Sequence, residues 1–214
     1  MISLLDKLKS KKPVSGESKI NNPIDAKPLQ RVSIDKLGYR DNNWIITKIV
    51  ENSVSDDVKW TDYHLLDRPV SGEDRSIILR LHCDKSIPGN VVYCLLLSVL
   101  YDLPYDVSIV DAVKDPTNVF VINDDNGEHR YARINNLSSV HNVSTVTVAD
   151  KNADKFIDEG EMVRGSLQMW DYTRDYQDDD KTVTEFLFVE LDNITKRHVL
   201  LTGSTILADN ISLF

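Results

Sequence analysis

The sequence predicts an α+β protein that is mainly antiparallel β, built as a sheet or a partly closed barrel with one to three short helices. About nine short runs either alternate apolar and polar residues or are rich in β-branched residues, which is typical of strands. Asn126-Gly127 lies between two such runs and is a strong hairpin signal. The stretch Gln168–Asp192 reads as a strand, an acidic turn and a second strand. These three observations predict the fold class.

The hairpin predicted over Gln168–Asp192 organises the rest of the chain. Its second arm carries four consecutive large apolar residues, Phe186 to Val189, so both faces of that strand are apolar. A strand that is buried on both faces belongs in the middle of a sheet. In the first arm, Asp171 and Arg174 are a candidate ion pair. Alternation places Trp170, Tyr172 and Tyr176 on one face of the first arm and Asp171, Thr173 and Asp175 on the other.

The first 28 residues are predicted to lie outside the compact body. Met1–Lys12 reads as a short basic amphipathic helix, and Pro13–Pro28 reads as a linker because it is polar and rich in proline. The apolar face of the helix is formed by Met1, Leu4, Leu5 and Leu8. This helix either docks on the body or frays, or it is a reversible anchor to an anionic membrane or a partner protein. Residues 29–214 are predicted to form a single mostly-β domain.

Three strands are predicted early in the body, over Trp44–Val50, Val58–Leu66 and Ser76–Cys83. The third alternates cleanly, so its apolar side chains share one face. These side chains are Ile77, Leu79, Leu81 and Cys83. Arg80 and His82 are therefore predicted to face away from the core.

The run Val91–Tyr101 is too apolar to show a period, so its pattern fits either a helix or a strand. Asp106 is the predicted N-cap of a short helix over Val107–Lys114, which Pro116 ends. Further strands are predicted over Asn118–Asn123, Glu128–Ile134, Ser144–Ala149, Arg197–Thr202 and Thr205–Phe214. The dipeptide Gly203-Ser204 is predicted to separate the last two.

Net charge and cysteine content indicate which partners the protein can bind and in which cellular compartment it works. The chain has 214 residues and a net charge of −9, and a surface of that sign repels nucleic-acid phosphates. The charge is uneven, because residues 1–19 carry +3 and leave −12 for the remainder. Cys83 and Cys94 form neither a CxxC pair nor a disulfide framework. We therefore expect a cytoplasmic protein with two buried thiols that binds no nucleic acid.

The acidic stretch from Asp150 to Glu161 resembles the calcium-binding loop of an EF-hand. The residues at the ligand positions are Asp150, Asn152, Asp154, Phe156 through its carbonyl oxygen, Asp158 and Glu161. Hard oxygen ligands at this spacing suit Ca²⁺. Against a calcium site, Lys155 stands where the loop requires glycine, and the residues before the loop favour a strand over an entering helix. The alternative is a solvated acidic loop before a short helix.

The sequence contains no recognisable pattern of catalytic residues. Motifs of serine hydrolases, phosphate-binding loops and dinucleotide-binding folds are absent. None of the histidines has the spacing of a zinc site; they are His64, His82, His129, His141 and His198. A second acidic cluster, at a predicted hairpin tip, comprises Asp175, Asp178, Asp179 and Asp180. It either keeps that tip soluble or docks a basic partner. We predict no catalytic residue and no cofactor.

Three segments in the second half of the chain follow one another in a characteristic order. Trp170–Arg174 is an aromatic-Tyr-Arg strand, Glu185–Glu190 is a strand of the EFLFVE kind, and Gly203–Leu207 begins a final apolar segment. With the basic leader and linker, this layout resembles the YjfK-like family of uncharacterised bacterial proteins. Trp60–Leu65 is similar to a strand of another uncharacterised bacterial β-domain family. The resemblance implies a cytoplasmic bacterial protein with a partner-binding role, because genes of such families lie beside those of envelope-stress, membrane-remodelling coiled-coil proteins.

These observations leave three hypotheses for function. The leading one is a non-catalytic protein-interaction module that acts at the inner face of the membrane through Met1–Lys12, with another protein as its partner. The alternative is a Ca²⁺-binding domain that uses the loop Asp150–Glu161. The third is a hydrolase whose site carries no recognisable motif.

Overall fold

The computed structural model describes residues 29–36, 38–39, 42–67, 73–83, 91–125, 127–134, 140–150 and 163–214. In this part of the chain there are twelve strands, one α-helix and one short 3-10 helix. The strands are β1 (Arg31–Ile34), β2 (Trp44–Ser53), β3 (Lys59–Asp67), β4 (Arg75–Cys83), β5 (Val91–Pro104), β6 (Val119–Asp124), β7 (Gly127–Arg133), β8 (His141–Asp150), β9 (Val163–Asp178), β10 (Lys181–Asp192), β11 (Arg197–Ile206) and β12 (Ile211–Leu213). The α-helix, α1, is Val107–Lys114, and the 3-10 helix is Ala208–Asn210. The described residues alone hold more strands than the nine or so that are predicted.

Eight of these strands close into an antiparallel barrel. Neighbouring strands pair in the order β2, β3, β4, β5, β11, β10, β9 and β8, and β8 pairs back to β2. The closing ladder places Glu51 of β2 opposite Val146 of β8. The predicted class, mainly antiparallel β with a short helix, is confirmed. Full closure gives each of these eight strands a partner on both sides, which an open sheet does not.

The other described strands and α1 lie on the outer wall of the barrel. β1 pairs with the start of β2 and carries β12 on its other side. The hairpin β6–β7 joins β9 through the residue pairs Ala132–Thr173 and Arg133–Tyr172. α1 contacts β6. Two separate patches of the outer wall are therefore covered, one by β1 and β12 and one by α1 with β6–β7.

The buried apolar side chains form one core inside the barrel and two outside it. The inside core contains Trp60, Ile78, Leu95, Leu97, Val143, Met169, Phe186, Phe188 and Leu201. Phe188 of β10 meets Arg80 of β4 there although β5 and β11 separate the two strands in the ring, which identifies the inner side. The outside core under β1 and β12 includes Ile46, Tyr63, Leu79 and Leu96. The outside core under α1 and β6–β7 includes Ile109, Phe120, Leu187 and Val189.

Strand β10 is buried on both faces, as its sequence predicts. Phe186 and Phe188 lie in the inside core, whereas Leu187 and Val189 lie in an outside core. All four side chains are 7% exposed or less. β10 pairs with β9 along its whole length and with β11 on its other side. The predicted strand, turn and strand over Gln168–Asp192 are confirmed.

The ambiguous run Val91–Tyr101 is a strand and belongs to β5. It pairs with β4 on one side and β11 on the other. Leu95 and Leu97 lie in the inside core, whereas Cys94 and Leu96 lie in the outside core under β1. A strand buried on both faces lacks the alternation that would distinguish it from a buried helix. Cys94 is a buried thiol, as predicted, whereas the side chain of Cys83 lies outside the described part of the chain.

Helix α1 spans the predicted residues. Asp106 caps its first turn, because Asp106 Oδ1 accepts hydrogen bonds from Ser108 N at 2.8 Å and from Ser108 Oγ at 2.7 Å. The helix ends at Lys114. Ile109 and Val113 are buried and belong to the outside core under α1 and β6–β7. Local capping and an apolar face therefore suffice to define this element.

Two predictions for the end of the chain are wrong. β11 is continuous, so the dipeptide Gly203-Ser204 lies inside a strand and does not separate two strands. The predicted strand Thr205–Phe214 consists of the end of β11, the 3-10 helix and the short β12. The glycine is required because β5 approaches it closely: a Cβ atom on residue 203 would lie 1.9 Å from Leu96 O. Glycine inside a strand often marks such an approach of another backbone.

Several predictions concern residues outside the described part of the chain. They include the helix Met1–Lys12, the linker Pro13–Pro28 and nearly all of the loop Asp150–Glu161. The first described residue is Leu29, whose backbone N donates to Ile46 O of β2 at 2.9 Å. The division of the chain near residue 29 stays a prediction.

We expect Gly203→Ala to lower the free energy of unfolding by about 2–3 kcal/mol, because the added methyl group forces β5 away from β11. Urea denaturation followed by tryptophan fluorescence measures this change. Thr205→Ala is the matched control, since Thr205 is exposed in the same strand and its truncation should cost about 1 kcal/mol or less. Equal stability of the two variants would contradict the close approach of β5.

Candidate functional site

An ion cluster made of Asp62, Arg80 and Glu190 lies inside the barrel. Arg80 of β4 donates from Nε to Asp62 Oδ1 at 2.8 Å and from Nη2 to Asp62 Oδ2 at 2.9 Å. The same Nη2 donates to Glu190 Oε1 of β10 at 2.9 Å. Asn52 Nδ2 of β2 donates to Asp62 Oδ2 at 3.0 Å. Hydrogen bonds that involve ionised groups therefore connect β2, β3, β4 and β10 across the barrel interior.

Apolar groups enclose the guanidinium of Arg80. Its central carbon lies 5.3 Å from the ring centroid of Trp60 and 4.6 Å from that of Phe188. Its Nη1 lies 3.8 Å from Met169 Sδ, and the side chain is 2% exposed. A desolvated cation over aromatic rings gains about 2 kcal/mol. The adjacent carboxylates offset the larger cost of removing the charge from water.

The polar groups of the ion cluster are satisfied by one another and by the neighbouring side chains of Asn52 and Met169. Burial alone would lower the pKa of Arg80, but the charges of Asp62 and Glu190 raise the pKa above its usual range. Burial raises the pKa of the Glu190 carboxyl, against the attraction of Arg80. Each of the three side-chain nitrogens of Arg80 already contacts a partner inside the barrel. This geometry indicates that the ion cluster links the strands and does not bind a substrate.

A ladder of three rings lies beside the ion cluster. Trp60, His82 and Tyr93 are cross-strand neighbours in β3, β4 and β5. The ring centroids of Trp60 and His82 are 5.6 Å apart, those of His82 and Tyr93 are 4.1 Å apart, and both pairs are stacked. Burial, together with the charge of Arg80, lowers the pKa of His82 to about 3. Burial raises the pKa of Tyr93 to about 12. Both rings are therefore uncharged near neutral pH.

The positions of Arg80 and His82 correct the prediction that they face away from the core. The alternation of β4 is real, but both of its faces are covered. Leu79 lies in the outside core under β1, and Arg80 lies in the ion cluster on the inner side. The pattern of one strand is the same whether its polar face meets water or a barrel interior. A signal for the ion cluster is present in the sequence: the basic residue Arg80 and the acidic residue Glu190 each stand within an otherwise apolar strand run.

A half-buried pair, His141 of β8 and Asp171 of β9, lies on the inner side of the barrel wall. His141 Nε2 is 3.3 Å from Asp171 Oδ1, and the side chains are 36% and 22% exposed. The hydrogen bond to Asp171 raises the pKa of His141, and burial opposes this shift. The predicted pair of Asp171 with Arg174 is not formed; Arg174 pairs with Glu185. Residues three apart in a strand point to opposite faces.

A second polar cluster holds the β6–β7 hairpin against the outer wall. Arg174 Nε donates to Glu185 Oε2 at 2.6 Å, and the same oxygen accepts from Tyr131 Oη at 2.8 Å. Arg174 Nη1 contacts His129 Nδ1, and His129 Nε2 lies 2.8 Å from Asp124 Oδ1. Burial, together with the hydrogen bond to Glu185, raises the pKa of Tyr131. These contacts tie β6 and β7 to β9 and β10, so the cluster has a structural role.

A cleft of about 610 Å³ lies on the outer wall across β2, β3 and β8. We call it the outer-wall cleft. Its apolar side chains are Ile49, Tyr63, Val146 and Val148, and its other lining residues are Glu51, Asn52, Ser53, Lys59, Trp60 and Thr61. Of these, Asn52 and Trp60 direct their side chains into the barrel. Glu51 is the cross-strand neighbour of Thr61 on one side and of Val146 on the other. These three side chains therefore share the outer face of the barrel, on the wall that β1 and β12 cover elsewhere.

The predicted Ca²⁺ loop Asp150–Glu161 lies outside the described residues, except for the backbone of Asp150 at the end of β8. The strand predicted before the loop is confirmed, and the next described element is β9, which begins at Val163. Among the described residues, no group of three or more His, Cys, Asp or Glu side chains could hold a metal ion. Calcium binding by the loop stays a prediction.

The second acidic cluster lies at the tip of the β9–β10 hairpin. Asp178, Asp179 and Asp180 are exposed around the turn. Asp175 Oδ1 accepts a hydrogen bond from Thr184 Oγ1 of the opposite strand at 2.7 Å. The position of these carboxylates at a hairpin tip is as the sequence predicts, and docking of a basic partner there stays a prediction.

No family model, curated protein or solved structure matches the chain. The resemblance to the YjfK-like family therefore stays a prediction. Within the described ranges, none of the helices combines the length and the apolarity needed to span a bilayer.

We expect Arg80→Met to lower the free energy of unfolding by about 3–5 kcal/mol, because it leaves buried carboxylates without their cation. Urea denaturation measures the loss. Adding Asp62→Asn and Glu190→Gln to the same chain should restore a large part of it, since no uncompensated charge then remains. The control is Arg130→Met, whose ion pair with Glu128 has side chains that are 70% and 55% exposed and should change stability by about 0.5 kcal/mol or less. A loss no larger than that of Arg130→Met would disprove the buried tie.

The raised pKa of His141 predicts a pH-dependent contribution to stability. A histidine whose pKa is higher in the folded state stabilises fully below its unfolded pKa of about 6.5 and loses this contribution as pH rises through the folded value. His141→Gln should therefore destabilise the protein more at about pH 5.5 than at about pH 8.5. NMR titration of the imidazole should show a pKa above 6.5, and Asp171→Asn should lower it. An effect of His141→Gln that does not vary with pH would refute the pairing.

Proposed function

We propose that this protein is a non-catalytic protein-interaction module whose outer-wall cleft holds an apolar segment of a polypeptide partner. The observation that carries this proposal is the cleft itself, whose floor is formed by Ile49 and Tyr63, 6% and 3% exposed, and whose half-buried apolar side chains are Val146 and Val148. Apolar side chains on a concave surface bind the aromatic and aliphatic anchors that dominate the affinity of protein interfaces. Its volume of about 610 Å³ lies within the range of about 300–1,000 Å³ that is usual for binding pockets.

The rigidity of the cleft supports a binding function. Its lining residues come from β2, β3 and β8, and β2 is hydrogen-bonded to both of the other strands. Its strands belong to a closed ring, so the cleft is formed before a partner arrives. A preformed surface loses little conformational entropy on binding.

The contacts of the described polar groups support a non-catalytic function. The ion cluster inside the barrel bonds its own members, and the cluster around Arg174 fastens a hairpin to the wall. His82 is uncharged and stacked between Trp60 and Tyr93. These groups therefore support the scaffold that presents the cleft. Contact of Met1–Lys12 with the inner face of a membrane, and a cytoplasmic location, stay predictions.

We expect a photoreactive phenylalanine analogue at Thr61 to form a discrete covalent adduct in the native host, because Thr61 lines the cleft. Val148→Asp should abolish that adduct by placing a charge among the apolar lining residues. Mass spectrometry of the adduct identifies the attached polypeptide and the contacted segment, which should be apolar.

Val121 provides the matched control, because it is an exposed valine on β6. β6 belongs to the hairpin that covers the other patch of the outer wall. The analogue at position 121 should form no such adduct, and Val121→Asp should leave the Thr61 adduct intact. An adduct that survives Val148→Asp, or that forms equally from position 121, would refute the cleft as the docking site.

A further inference from the structure

We propose that the N-terminal segment of this chain, Met1–Lys12, occupies the outer-wall cleft in cis and is displaced when a partner binds. This inference rests on the proposed function, since it names an occupant of the same site. It follows from where the described chain begins, from the length that precedes it, and from the chemistry of the two surfaces.

The described chain begins beside the strand that forms one wall of the cleft. Leu29 N donates to Ile46 O of β2 at 2.9 Å. Ile49, which lines the cleft, lies three residues further along the same strand, at a distance of about 10 Å. The point from which the N-terminal residues extend is therefore close to the cleft.

The intervening chain has a suitable length. Pro13–Pro28 is a polar, proline-containing stretch of sixteen residues, for which a flexible chain has an r.m.s. end-to-end distance of about 20–24 Å. That length is about twice the separation of Leu29 from the cleft, so the linker reaches the cleft with slack. A short flexible tether gives an effective concentration in the millimolar range, so an intrinsic Kd of about 0.1 mM keeps about nine-tenths of the clefts occupied.

The two surfaces are complementary in chemistry. The apolar face formed by Met1, Leu4, Leu5 and Leu8 matches the apolar lining of the cleft. Residues 1–19 carry a charge of +3. Glu51 lines the cleft, and Asp56 and Asp57 are exposed in the turn that joins its lining residues Ser53 and Lys59. Lys59 lines the cleft, and Arg164 of β9 is the cross-strand neighbour of its lining residue Val146. Among the described residues in and beside the cleft, these three carboxylates therefore exceed the two cations by one, a small negative excess that favours a basic occupant.

Occupancy in cis makes the segment a competitor of any partner. When about nine-tenths of the molecules hold their own segment, the apparent affinity for a partner is about tenfold weaker than that of the free cleft. A ligand that takes up the apolar face of the segment, such as an anionic bilayer, would then open the cleft to the partner.

Two variants of the full chain test the inference. Leu4→Asp with Leu8→Asp introduces two charges on the apolar face, whereas Ser3→Asp with Ser10→Asp introduces the same charges on the opposite face of the predicted helix. The methyl resonances of Val146 and Val148 are compared by NMR with those of the wild type. We expect both resonances to shift in the leucine variant and to remain in place in the serine variant. The Thr61 photo-adduct with a partner should increase by about tenfold in the leucine variant alone.

The two proposals fail in different ways. Unchanged Val146 and Val148 resonances in the leucine variant would overturn occupancy in cis, whereas a Thr61 adduct that still depends on Val148 would uphold the proposed function. If the leucine variant leaves both resonances in place but loses sedimentation with vesicles that contain phosphatidylserine, the apolar face binds membranes and not the cleft, which likewise overturns the inference. Loss of the Thr61 adduct in every variant would remove both proposals.

Discussion

The side chain of Arg80 reaches across the barrel interior, and much of the architecture depends on the carboxylates that receive it. Asp62 on β3 and Glu190 on β10 both bond its guanidinium, while Trp60 and Phe188 enclose it. A charge buried in this way tolerates no alternative register, because a one-residue slip of any of these strands moves its charged group to the opposite face of the barrel wall. We infer that the ion cluster selects one closed arrangement of strands more than it adds net stability.

The ion cluster and large apolar side chains occupy the described core inside the barrel, so we expect binding on the outside of the barrel. The outer wall is apolar over much of its area, and additional elements cover two patches of it. β1 and β12 cover one patch, and α1 with β6–β7 covers the other, fastened there by Arg174 and Glu185. The outer-wall cleft lies beside the first patch, where Ile49 and Val148 extend the covered apolar surface. A scaffold of this kind presents a rigid surface, with one ion cluster inside the barrel and a second polar cluster that fastens the β6–β7 hairpin to its outer wall.

Features that depend on neighbouring residues could be predicted from the sequence. Asp106 and the apolar spacing after it define α1, because capping and amphipathicity act within a few residues. The β9–β10 hairpin and the double burial of Phe186–Val189 follow from the order of residues in a single stretch. The continuity of β11 through Gly203 could not be predicted in this way. A glycine between two apolar runs resembles a turn, and only the approach of Leu96 from β5 shows that the strand continues.

The sequence by itself determined the class of the fold, most strands and the helix, since each is fixed by local preferences and by burial patterns of period two or 3.6. Only the tertiary structure decided which faces those strands enclose. The pairing of β8 with β2 closes the ring, and closure turns the polar face of β4 into a barrel interior. Arg80 therefore pairs with residues 18 and 110 positions away. The outer-wall cleft has the same origin, because β2, β3 and β8 form one surface only when β8 pairs with β2.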